Sequence, residues 1–164
     1  MKKQVVANGV HDYTAPEDYI PPRSPEVQKH LEWFMGQKLG FMMHWAPGCQ
    51  LGTYESWPLS DGDAEWSQED FTWDDAETCK QQYWEANKTF NPVKFDLAAW
   101  AQLASECGFR YLLFTTKHHD GFCMFDTKTT DYKITAPDCP FHTHRDADVV
   151  GALYREFRKR GLAI

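Results

Sequence analysis

Apolar residues recur along this chain with two periods, and the switches between them mark the elements. After Ser24-Pro25, a capping serine with proline at the first helical position, Val27, Leu31, Phe34 and Met35 follow at helical spacing. Past Gly36, the short apolar run Leu39-Gly-Phe-Met-Met-His-Trp45 predicts a buried strand. Asp96 is an N-cap for a helix whose apolar face carries Leu97, Trp100, Ala101 and Ala104, and Gly108 closes it in the left-handed conformation. Tyr111-Leu-Leu-Phe-Thr-Thr116 is β-type with no polar alternation, the pattern of a parallel strand covered on both faces. Val149, Val150, Leu153, Tyr154 and Phe157 form another helical stripe ended by Gly161, and Leu162-Ala-Ile164 begins a further strand.

Two stretches break this rhythm. Residues 1–23 are polar and carry Pro16, Pro21 and Pro22, which reads as a lead-in. Residues 46–90 read as one long loop: Tyr54 to Glu85 holds ten acidic residues against the single Lys80, interleaved with Trp57, Trp66, Trp73, Tyr83 and Trp84. Loops of that length carry function or are disordered, and the density of tryptophan disfavours disorder.

Strands alternating with helices predict an α/β fold with a parallel sheet, and the helix–glycine–strand junction occurs twice. A (β/α)8 barrel takes about 250 residues. Residues 24–164 are therefore expected to be its N-terminal portion, two to three βα units, truncated, since ending in an apolar strand would leave a sheet edge in water.

Composition narrows the function classes. The net charge is −7 with no basic stripe, which argues against nucleic acid. The basic cluster Arg155 to Arg160 sits at a predicted helix C-terminus, where cations offset the dipole. Five cysteines without a C-x-x-C pair suit reduced thiols in a cytoplasmic compartment. The start of the chain lacks the apolar run of a signal peptide, and no stretch is long and apolar enough to span a membrane.

Chemistry concentrates at two predicted strand ends: His44, and His118-His119. In parallel α/β folds the C-terminal strand ends and the loops after them build the site. Neighbouring strand residues point to opposite faces, so His118 and His119 reach one ligand only if the chain turns; Asp120-Gly121 supplies turn chemistry, which makes Asp120 a turn residue. Neutral imidazoles donate and accept hydrogen bonds, which suits sugar hydroxyls. Two rival readings are a non-catalytic carbohydrate-binding module and a metal-dependent hydrolase built on His44, His118, His119 and Asp120, with His142 and His144 as solvent-facing loop residues.

Three segments make a resemblance specific. Lys38-Leu-Gly-Phe-Met-Met-His-Trp45 resembles the first barrel strand of glycoside hydrolase family 29, the α-L-fucosidases. Phe90 to Tyr111 is similar to its first barrel helix and lead-in. Thr115-Thr-Lys-His-His-Asp-Gly-Phe to Tyr132 is similar to the family's most recognisable motif, and Asp148-Val-Val to Gly161 fits the next helix. The resemblance implies that His44, His118 and His119 bond the hydroxyls of a fucose ring, the substrate being a fucosylated oligosaccharide or glycan, with no cofactor and no metal. It also implies a Glu and a Trp after the first strand: Glu55 and Trp57, or in competition Glu65 and Trp66. Retaining members need a nucleophile and an acid/base carboxyl about 5–5.5 Å apart. The resemblance puts both beyond these residues, so no catalytic residue is expected here, and the isolated chain is expected to bind sugar weakly without turning it over.

Overall fold

The computed structural model describes residues 20–60, 65–67 and 76–164. The chain divides into two compact units, Met1–Lys38 and Leu39–Ile164. In the first, α1 (Pro25–Gln37) starts where expected: the Ser24 side chain accepts the Val27 N–H, with Pro25 in the first turn. Its apolar stripe is not buried, and Val27, Leu31, Phe34 and Met35 all stay exposed.

The second unit is built on parallel strands. β1 (Gly40–Met43) runs into the loop that holds α2 (Gly48–Leu51), a 3₁₀ turn Trp57–Leu59 and another at Glu65–Ser67. The chain then enters α3 (Ala76–Glu85), α4 (Leu97–Glu106), β2 (Tyr111–Phe114) and α5 (Val149–Lys159). β1 pairs with β2 in the register Phe41↔Leu112 and Met43↔Phe114. On its other edge β2 meets the end of the chain: the Leu112 N–H donates to the Ala163 carbonyl at 2.8 Å, and the Ala163 N–H to that of Arg110 at 3.0 Å. The expected third strand starts here.

The two helix–glycine–strand junctions are the same motif. Gly108 and Gly161 have φ of +80° and +73°. In each, the glycine N–H and the next N–H return to carbonyls of the last helical turn, Ser105 and Ala104 for α4, Arg158 and Phe157 for α5. This double closure ends a helix in a left-handed residue and aims the chain into the next strand. Asp96 and Asp148 cap the opposite ends through the Ala99 and Gly151 N–H groups.

One core joins Leu97, Ala101 and Ala104 of α4, Val149, Leu153 and Phe157 of α5, and Met43, Leu112 and Phe114 of the sheet. Both helices therefore cover the same sheet face. On the other face the register partners Met42 and Leu113 are 56% and 52% exposed. The apolar runs predicted strands covered on both sides; only one side is. In a closed barrel that second face is filled by side chains from the other strands, and here the described residues extend the sheet of two strands only by the parallel Tyr111–Ala163 bridge.

The acidic excursion also differs from the expected loop, because it contains α3. Cys79 and Tyr83, one turn apart, are the buried residues among its described side chains, at 2% and 1% exposure. A single buried pair flanked by acids is too sparse to register as a helical stripe. All five cysteines are free, and no described helix is long and apolar enough to cross a membrane.

Candidate functional site

The ladder between the strands extends one residue past β2, where the Thr115 N–H donates to the Met43 carbonyl at 3.1 Å. That pairing brings the residues after both strands to one end of the sheet. His44 follows β1 directly, and the chain after Thr115 runs to a tight turn in which the Gly121 N–H donates to the His118 carbonyl at 3.0 Å. Gly121 takes φ +81°, which a glycine accepts without strain. The predicted turn is present, and its effect is the one required. The His118 and His119 rings meet edge to face at 4.6 Å, and His118 meets His44 in the same way at 5.5 Å.

Asp120 holds this turn from below. It is 2% exposed. Its Oδ1 accepts the Phe122 N–H and its Oδ2 accepts the Tyr83 hydroxyl, both at 3.0 Å. The turn role read from the sequence is thus correct, and burial with two donors adds a second one, the link to α3. Tyr83 was counted there only as one aromatic among several. No sequence signal pairs it with Asp120, since the two are 37 positions apart. Burial and then the Asp120 charge push the Tyr83 phenol pKa well up. Tyr132, packed edge to face on Phe122, is likewise raised, by burial and then by Asp120. Its hydroxyl is enclosed without a hydrogen-bond partner among the described residues.

The loop after β1 supplies the other wall. Glu55 adopts φ +53°, a left-handed conformation that costs a residue with a Cβ. Thr53 holds it there, taking the Glu55 N–H on its carbonyl and donating its hydroxyl to the Glu55 carbonyl at 2.8 Å. The Glu55 carboxylate stands 3.2 Å from His118 Nε2, and Ser56 Oγ 3.4 Å from Nδ1. At Gly48 an added Cβ would lie 2.8 Å from the Tyr83 hydroxyl, so this loop closes on α3 only with glycine there.

Two cavities meet at His118. One, of about 150 Å³, is lined by His44, Glu55, Thr115, His118 and Asp120. The other, of about 500 Å³, is lined by Glu55, Trp57, Trp84, His118 and His119. Trp66 packs against Trp57 at 5.8 Å and Tyr54 at 5.6 Å, while the Glu65 side chain lies outside the described residues. A larger cleft of about 770 Å³ lies between the start of α4 and α5, lined by none of His44, His118 and His119. Two ion pairs lie along it, Arg155 with Asp146 and Lys159 with Glu156.

Of the residues considered for a metal, His44 and His118 converge, and Glu55, which was not among them, joins them in place of His119 and Asp120, the three placing donor atoms within 4.8 Å of one another. Asp120 is committed to its two interior donors. His142 and His144 are exposed, as expected, and locally engaged: His142 Nδ1 lies 2.7 Å from the Cys139 carbonyl, and His144 stacks on Phe141.

A family model described as alpha-L-fucosidase matches residues 6–164. The chain belongs to the α-L-fucosidase family. Alpha-L-fucosidase 1 of Arabidopsis thaliana is 32% identical over 75 residues, 46% of this chain and 14% of that protein. The alpha-L-fucosidase of Dictyostelium discoideum is 24% identical over 143 residues, 79% of this chain and 29% of that one. Among solved structures, isoenzyme 1 from Paenibacillus thiaminolyticus superimposes with TM-score 0.63 at 31% identity, covering 82% of this chain and 27% of that one. AlfC from Lactobacillus casei, solved with its α-L-fucose product, gives 0.57 at 34% identity, covering 82% and 38%. The chain thus spans less than two-fifths of the length of these relatives. The α/β unit of this chain is a partial counterpart of the barrel domain found in such fucosidases.

Proposed function

We propose that this chain supplies the fucose-gripping wall of a retaining α-L-fucosidase acting on terminal α-L-fucosyl residues of glycans. His44, His118 and His119 hydrogen-bond the ring hydroxyls, and Glu55 joins them from the loop after β1. Trp57 lies against the apolar side of the sugar. The observation that carries this reading is the edge-to-face run His44–His118–His119 over adjoining cavities, with the Glu55 carboxylate 3.2 Å from the central ring. An imidazole beside a carboxylate offers an oriented donor and an acceptor, the pair a sugar diol needs. Glu55 and Trp57 are preferred over Glu65 and Trp66, since the former line the cavity that holds His118 and His119.

The bond-breaking carboxylates are assigned elsewhere. Asp120, adjacent in sequence to the histidines, is buried and occupied by Tyr83 and Phe122. The chain also spans only 27–38% of the solved fucosidases cited above. The isolated chain therefore binds fucose weakly and does not turn over a fucoside. Titration with L-fucose followed by NMR, beside an assay with an aryl α-L-fucoside, tests both halves. Binding weakened in His118→Ala with no turnover in either protein supports the proposal. Normal turnover by the isolated chain overturns the assignment of the carboxylates, and absence of any fucose contact overturns the site.

A metal-dependent reading rests on the convergence of His44, Glu55 and His118. Fucose binding that survives exhaustive chelation sets it aside.

A further inference from the structure

The smaller cavity already brings His44, Glu55 and His118 to one spot, yet the cavity beside it is more than three times larger and has an aromatic rim. Two tryptophans form that rim. Trp57 is 51% exposed and Trp84 44%. Trp84 comes from α3, not from either strand end. It is held by edge-to-face contacts with Tyr83 at 6.3 Å and Tyr132 at 5.5 Å, so a rigid indole stays nearly half open to solvent beside the histidines. Ser56 and Ser60 line the same cavity. A fixed aromatic surface next to hydroxyl groups suits a pyranose ring, whose C–H face stacks while its hydroxyls bond at the edge.

We infer that Trp84 is a specificity-determining residue: it forms the platform for the sugar that carries the fucose, on the leaving-group side. This inference rests on the fucose reading of the histidines and adds to it. Continuity is the geometric reason. Glu55, Ser56 and His118 line both cavities, so a fucose ring gripped at His118, with Trp57 against it, has its substituent within reach of Trp84 in the same cavity. The occupant is a hexopyranose linked to fucose, not an aryl or lipid group, because the polar residues Glu55, Ser56, Ser60 and His119 line the cavity along with the indoles.

Saturation-transfer NMR on the full chain tests this, using L-fucose and an α-L-fucosyl-(1,6)-N-acetylglucosamine disaccharide. An aromatic contact of ordinary strength makes the disaccharide bind about three- to tenfold tighter than fucose, with saturation on both rings. Trp84→Ala abolishes that advantage and the signal on the second ring while fucose itself still binds. Trp84→Phe, which keeps the contacts with Tyr83 and Tyr132, retains most of the advantage and controls for damage to the fold. Fucose binding with no disaccharide advantage, or an advantage that Trp84→Ala leaves intact, overturns this inference alone. Failure of the unmodified chain to bind fucose at all overturns it together with the reading it rests on.

Discussion

The Tyr83 hydroxyl donates to Asp120 Oδ2 at 3.0 Å with both side chains buried, which ties the acidic excursion to the histidine turn. Asp120 spends its other oxygen on the Phe122 N–H. The turn geometry at His118 and His119 therefore depends on a helix whose own sequence carries no site motif.

Removing that donor leaves a buried carboxylate oxygen without a partner. Tyr83→Phe is expected to destabilise by about 1–3 kcal/mol. Tyr132→Phe deletes a hydroxyl that already lacks a partner among the described residues, so it is expected to be neutral or stabilising. Urea unfolding of the two variants side by side decides the matter. Equal losses in both would mean the Tyr83–Asp120 bond has no special weight.

The same phenols set an alkaline limit. Burial and the Asp120 charge raise the pKa of Tyr83 and of Tyr132. Each phenol then holds its proton more tightly folded than unfolded. That part of the stability is complete below about pH 10, the ordinary tyrosine value, and is lost as pH rises toward the folded values. Unfolding free energy measured between pH 8 and 12 is expected to fall from about pH 10 onward, more gently in Tyr83→Phe than in the parent. A flat profile across that range contradicts the coupling.

At the sugar-facing end, each imidazole that bonds a hydroxyl is worth about 1 kcal/mol or somewhat more. His44→Ala, His118→Ala and His119→Ala are expected to weaken L-fucose binding by about five- to tenfold each, with small effects on the melting temperature. Trp57→Ala is expected to weaken it comparably and Trp66→Ala far less, since Trp57 lines the cavity with His118 and His119. The reverse order for the two tryptophans would move the loop assignment to Glu65 and Trp66.

The repeated junction has its own signature. Gly108 and Gly161 have open space where a Cβ would sit but positive φ, so Gly108→Ala and Gly161→Ala meet backbone strain without a clash. Each is expected to cost about 1–2 kcal/mol. Denaturant midpoints unchanged by either substitution would show that the left-handed closures are dispensable.

Local chemistry made much of this molecule readable from its residues. Caps at Ser24 and Asp96, left-handed glycines at 108 and 161, and the Asp120-Gly121 turn act over a few residues, so their rules apply wherever the sequence occurs. The alternation of strand and helix was legible for the same reason, as was the position of His44 directly after β1, whereas β2 stops at Phe114 and leaves His118 and His119 in the turn beyond it. The uncovered sheet face was not legible, because an apolar run such as Met42 or Leu113 states a preference for burial without naming what buries it. Nor was α3, whose Cys79 and Tyr83 gain their meaning only against the loop they pack on. Register between strand positions 71 apart decides that His44 meets His118, and a hydrogen bond across 37 positions decides how the turn is held. Sequence determines which side chains are available and how each short segment bends; tertiary packing decides which of them face the same cavity, since such contacts join positions that no local rule relates.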